Sequence, residues 1–170
     1  MSVELIKIPT EDDWKLCRRA AMTTIWRDYS EPPDNWRHRI LKAKHSPIRV
    51  LNFYISLKGI PYWVAMHLVR HVHAVPFVSS QRNDRQSMYD RRKAPQDALV
   101  SMDWYMNAEE LMTIAEKRLC TQASAETRAV VQEICRQVIE QCPEFDGLLV
   151  PDCEAHGGVC REFHPCGRQK

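Results

Sequence analysis

The chain has 170 residues, enough for one domain with a sizeable core, and 44% of them are hydrophobic, which excludes a disordered protein. Its formal net charge of +2 is too small for an extended nucleic-acid face or a basic membrane-binding surface, although 16 of the 24 basic residues are Arg. Guanidinium groups in that proportion suit bidentate capture of small anionic ligands.

Thr10, Glu11, Asp12 and Asp13 combine capping chemistry with early negative charge and predict a first helix, with Trp14, Cys17, Ala21 and Ile25 on its buried stripe and Pro32 and Pro33 ending it. A second short helix is expected over 34–42. After His45, Ser46 and Pro47, the β-branched and aromatic run from Arg49 to Lys58 predicts a strand. The apolar stretch Ile60 to Val69, with Pro61 in its first turn, predicts a helix that delivers Arg70 and His71 at its C-terminal end. A loop follows, carrying Ser80 and Arg82, and the polar segment Asn83 to Lys93 reads as surface, closed by Pro95.

Asn107 caps the next helix, with Glu110 three residues on and Leu111, Met112, Ala115 and Leu119 as its apolar stripe. A last helix over 124–141 buries Val130, Val131, Ile134 and Ile139 and stops before Pro143. The expected architecture is a single α+β domain over 1–150, a sheet packed with helices, followed by an irregular Cys/His-rich tail over 151–170.

Met1 to Thr10 is interrupted by Glu4 and Lys7, and no apolar run approaches the ~20 residues of a membrane helix, so the expectation is a cytoplasmic protein that engages neither membrane nor nucleic acid. Seven cysteines, an odd number, argue against a complete disulfide framework and leave free thiols or a metal. Cys153, Cys160 and Cys166, with His164 and His156 among them, supply enough soft ligands for tetrahedral zinc. Their spacing matches no short zinc signature, and unligated thiols are the alternative.

Arg70, His71, Ser80 and Arg82 put two guanidiniums, an imidazole and a hydroxyl on one short tether, a composition suited to an anion. Read individually, Arg70 and His71 are cations favourable at a helix C-terminus, and Arg118 is half of an ion pair with Glu110 or Glu126. The spacing of the four resembles the signature of the flavin-dependent thymidylate synthases: Arg-His-Arg, seven residues, Ser, any residue, Arg. Downstream, Arg91, Pro95, Asn107 and Arg118 stand at that family's offsets, followed by Gln122. Upstream, His45, Ser46 and Pro47 precede Phe53 and Tyr54 in the family's order. Val72 stands where the family has its third basic residue, and Val75 and Phe77 where it has Ser and Asn.

The resemblance implies reductive methylation of dUMP, with methylenetetrahydrofolate giving the carbon, FAD the hydride, and NADPH reducing the flavin. By position, Ser80, Arg82 and Arg91 would hold the dUMP phosphate and Arg118 would face the uracil, with Ser80 and Arg118 the residues assigned to catalysis. His45, Arg70, His71 and Gln122 would lie along FAD. It also implies a homotetramer with sites shared between subunits. The alternatives are another flavin- and folate-dependent change of a pyrimidine nucleotide, such as hydroxymethylation, and a nucleotide-binding protein without catalysis.

Overall fold

The computed structural model describes residues 1–82, 90 and 92–167. Its framework is a four-stranded antiparallel sheet in the order β1-β2-β4-β3, made of β1 (Ser2–Lys7), β2 (Asn52–Pro61), β3 (Val75–Val78) and β4 (Leu99–Asn107). β4 alternates strictly, and β2 does so from Asn52 to Leu57 save that Ser56 is also buried. Phe53, Ile55 and Leu57 on β2 stand opposite Met106, Trp104 and Met102 on β4, and all six are buried. That period of two puts these six side chains on one face, where helices cover it.

The helices are α1 (Glu11–Thr23), α2 (Trp36–Lys42), α3 (Tyr62–Leu68), α4 (Ala108–Arg118), α5 (Ala125–Gln141) and α6 (Asp152–Ala155). Three starts follow the expected chemistry. The side chain of Thr10 accepts from the Asp13 N–H in a complete capping box, Asn107 accepts from the Glu110 N–H, and Ser124 accepts from the Thr127 N–H.

Several boundaries differ from expectation. The first helix ends at Thr23, well before Pro32, because Trp26 turns left-handed (φ 57°), and Ile25 is left 53% exposed. The strand expected from Arg49 begins at Asn52, since Pro47 presets a 3-10 turn over Ser46–Val50, and it runs on to Pro61. Pro61 is thus the cap of α3, not part of its first turn. Val138 fills the core position expected of Ile139, which packs only at its edge.

Three strands were not anticipated. β3 contains Pro76, which an edge strand tolerates because its outer side needs no N–H donor, and it lies at the sheet edge. Where β2 shifts register between Leu57 and Ile60, Gly59 takes φ +67°. A side chain would be strained there.

Phe53 makes an edge-to-face contact with Phe145, ring centroids 5.6 Å apart, joining β2 to the turn after α5. Replacing Phe53 by Ala should cost about 3–5 kcal/mol of unfolding free energy, the range for a buried aromatic truncated to a methyl group. Urea denaturation would show it as a lower midpoint; an unchanged midpoint would mean this contact is not part of the core.

Candidate active site

α3 ends beneath the sheet's buried face and α4 passes beside it, so the C-terminal ends of both helices bring their polar residues together. The Arg118 Nε–H donates to Nε2 of His71 at 2.8 Å, and an Arg118 Nη2–H donates to the carbonyl of His67 at 2.9 Å. The second bond satisfies one of the carbonyls left free in the last turn of α3. Burial first, and the neighbouring Arg70 charge second, hold the Arg118 pKa below its ordinary value. An arginine still cannot lose its proton at ordinary pH, so it only donates. Nε2 of His71 must therefore be an acceptor, the ring is neutral, and its proton sits on Nδ1.

His71 is itself buried. Its Nδ1 faces the buried carboxylate of Glu110 at 3.5 Å, and its ring stands against Trp104, centroids 6.2 Å apart. Arg70, one residue earlier, is exposed. The result is a row, Glu110 to His71 to Arg118, running from the start of α4 to its end across the tip of α3.

This row separates two cavities. One, about 280 Å³, is lined by His71, Lys117, Arg118, Cys120, Gln122 and Glu162. The other, about 540 Å³, is lined by Arg49, His73, Asn107, Glu109, Glu110 and Thr113. The first therefore collects three of the sequence-predicted residues, His71, Arg118 and Gln122, around a guanidinium.

His45, Ser80 and Arg82 are not among the residues that line this cavity. His45 lines a 650 Å³ groove with Met22, Trp36, Arg39 and Lys42, and that groove shares no lining residue with the 280 Å³ cavity. Ser80 and Arg82 follow β3, with Ser80 Oγ accepting from the Arg82 N–H at 3.2 Å. Arg91 lies outside the described residues, as does Asn83.

The tail is more ordered than expected and closes over the cavity. After the single helical turn of α6, the Arg161 guanidinium pairs with the buried Asp152, Lys117 Nζ donates to Glu162 at 3.2 Å, and Gln122 Nε2 donates to the carbonyl of His164 at 2.8 Å. Among the described residues, no three His, Cys, Asp or Glu side chains come together as a metal-ligand set. Cys153, Cys160, Cys166 and His164 thus form no zinc site in this fold; the carbonyl of His164 is used on Gln122, and the His164 ring packs on Phe163. Cys17 and Cys135 are core residues whose thiols burial pushes up to about 12, leaving them unreactive at neutral pH.

Sequence reasoning read Glu110 as a capping residue or an ion-pair partner of Arg118, whereas Arg118 bonds His71, and it did not foresee Lys117, Cys120 or Glu162 at the cavity. A signal for Glu110 was present, since it shares one helical face with Ile114 and Arg118 at intervals of four.

Comparisons with known proteins bear on the fold and on one span of the chain. A family model described as thymidylate synthase complementing protein matches residues 90–144, a span that holds Asn107, Arg118 and Gln122. A structure of Thymidylate Synthase X (ThyX) from Helicobacter pylori with FAD and dUMP superposes with a TM-score of 0.71 at 14% identity, covering 88% of this chain and 99% of that one. The chain has the flavin-dependent thymidylate synthase fold. A second such structure, flavin-dependent thymidylate synthase ThyX from Helicobacter pylori complexed with FAD and dUMP, gives 0.70 at 15% identity, over 87% of this chain and 99% of that one. The superpositions show the fold, and the family model matches residues 90–144 of the 170. No curated protein matches the chain by sequence. No helix among the described residues is long and apolar enough to cross a membrane.

Asp152 anchors the tail, and the Arg161 hydrogen bond, opposed by burial and helped by the Arg161 charge, holds its carboxyl below the ordinary value. A carboxylate with a lowered folded pKa stabilises at every pH above its unfolded value, near 3.9, and the contribution fades as pH falls through that value toward the folded one. The His156 amide, which donates to the Asp152 carbonyl, should lose hydrogen-exchange protection below about pH 3.9 before the sheet does. In Asp152→Asn the same amide should be weakly protected at all pH values. Protection that tracks the sheet down to acid unfolding would show that Asp152 does not hold the tail.

Proposed function

We propose that the chain binds a pyrimidine nucleotide and FAD and carries out reductive methylation of dUMP. The observation that carries this reading is the Arg118 guanidinium, held by His71 at the wall of a 280 Å³ cavity, in a fold whose solved examples include proteins crystallised with FAD and dUMP. When bound, FAD reduced by NADPH would supply the hydride and methylenetetrahydrofolate the carbon.

The chain's own residues supply orientation and charge. Arg118, desolvated and aimed, offers donors to a uracil carbonyl, and such fixed donors in a water-poor site are worth more than the same groups in solution. Ser80 and Arg82 sit two residues apart after β3 and give a hydroxyl and a guanidinium to the phosphate; Arg91 is assigned with them by sequence offset. Arg70, exposed beside Arg118, suits the FAD diphosphate. Both ring nitrogens of His71 face protein groups and the Gln122 amide is held by the tail, so these two contribute to the flavin side by shaping the cavity wall.

His45 lies in a separate groove, and this supports a homotetramer in which one copy's His45 completes another copy's site. A cytoplasmic location fits the same reading. Val72 is 82% exposed where the signature has a basic residue, so the surface beside Arg70 lacks one charge. That observation favours, as second reading, a nucleotide-binding protein with weakened flavin binding and no catalysis.

Calorimetry with dUMP and deoxyuridine separates the assigned roles. Arg82→Ala should weaken dUMP about ten- to a hundredfold, since a charge-assisted hydrogen bond contributes roughly 1.5–3 kcal/mol, and should leave deoxyuridine nearly unchanged. Arg118→Ala should weaken both alike. Parent-like dUMP binding by Arg82→Ala, or equal loss of both ligands in a folded protein, would refute the phosphate assignment. Saturable FAD binding by the parent supports the enzyme reading; dUMP binding without it supports the second.

A further inference from the structure

Glu110 is a carboxylate only 5% exposed that faces the His71 ring, on a helix that also carries Arg118. A buried carboxylate is costly unless it organises something. What it faces is Nδ1 of His71, the nitrogen that the Arg118 bond requires to carry the proton. The neutral imidazole has two tautomers, and only the one protonated on Nδ1 leaves Nε2 free to accept from Arg118. The other would set two N–H groups against each other at 2.8 Å and push the guanidinium away.

We propose that Glu110 is a positioning residue: by keeping the proton of His71 on Nδ1, it holds Nε2 as an acceptor and so aims Arg118 at the 280 Å³ cavity. The separation of 3.5 Å is longer than an ideal hydrogen bond, so a Glu110 oxygen acts on the Nδ1–H dipole as a nearby partial negative charge, which a side-chain amide oxygen also supplies. Arg118 in turn needs an acceptor at Nε2, which a ring protonated on both nitrogens lacks. Arg118 and Glu110 therefore favour the same tautomer from opposite sides of the ring.

The consequence for ligand binding rests on the reading of this cavity as the pyrimidine site, but the tautomer does not. Long-range proton–nitrogen correlation spectra of the ligand-free protein, labelled at histidine, report which ring nitrogen of His71 carries the proton. The parent should show Nδ1–H. Glu110→Gln keeps an acceptor facing Nδ1 and should retain that tautomer and recover dUMP affinity to within about threefold, a difference under 0.7 kcal/mol. Glu110→Leu removes the acceptor at similar volume; it should shift His71 toward Nε2–H and raise the dUMP dissociation constant about tenfold, with circular dichroism unchanged.

A parent with Nε2–H, or a folded Glu110→Leu that keeps Nδ1–H, overturns the proposal. If Glu110→Leu does not fold, the parent and Glu110→Gln spectra decide it: loss of Nδ1–H in Glu110→Gln counts against a role as acceptor. Failure of the parent to bind dUMP would overturn the proposed function while the spectra still judge Glu110.

Discussion

Arginine can only donate, and that single constraint organises the candidate site. Because the Arg118 Nε–H reaches Nε2 of His71, the imidazole is neutral, its proton faces Glu110, and the guanidinium is held at a cavity wall instead of ranging over the surface. The same side chain donates to the His67 carbonyl, so one residue both closes the end of α3 and presents its charge. A long side chain tied at two points loses its rotamer freedom during folding, and binding need not incur that cost again.

The fold beneath supplies the rigidity this requires. β2 and β4 bury Phe53, Ile55 and Leu57 against Met106, Trp104 and Met102, and β4 passes directly through Asn107 into α4. The cap at Asn107 fixes where α4 starts, and two turns and more of regular helix fix where Arg118 emerges. Trp104 links the layers: it is fully buried in the sheet and its ring meets His71, so the site stands on the centre of the core. The tail then closes the cavity from outside through Lys117, Gln122 and the Asp152–Arg161 pair.

Local chemistry was legible in the sequence where a residue's role is decided by its near neighbours. Thr10, Asn107 and Ser124 cap helices as their spacing requires, and the stripe Leu111, Met112 and Ala115 is buried. β4 was also legible, since Val100, Met102, Trp104 and Met106 alternate with polar or exposed residues; the period of two was present but went unread. β3 was masked by Pro76, whose tolerance depends on being at an edge, a fact of topology. Glu110 facing His71 and the tail's reach back to Lys117 and Gln122 depend on how distant segments pack, and no local pattern encodes them. The cysteines show the reverse failure: composition suggested a metal, but Cys153, Cys160 and Cys166 are not gathered by the fold into a ligand set among the described residues.

As proposed above, the 280 Å³ cavity holds the pyrimidine of dUMP, a claim that product formation can decide. Purified protein incubated with dUMP, methylenetetrahydrofolate, NADPH and FAD, and analysed by mass spectrometry, should yield dTMP in a reaction that requires all four and is abolished in Arg118→Ala. A protein that binds dUMP and FAD saturably yet forms no dTMP, or whose product formation survives Arg118→Ala undiminished, would contradict the claim.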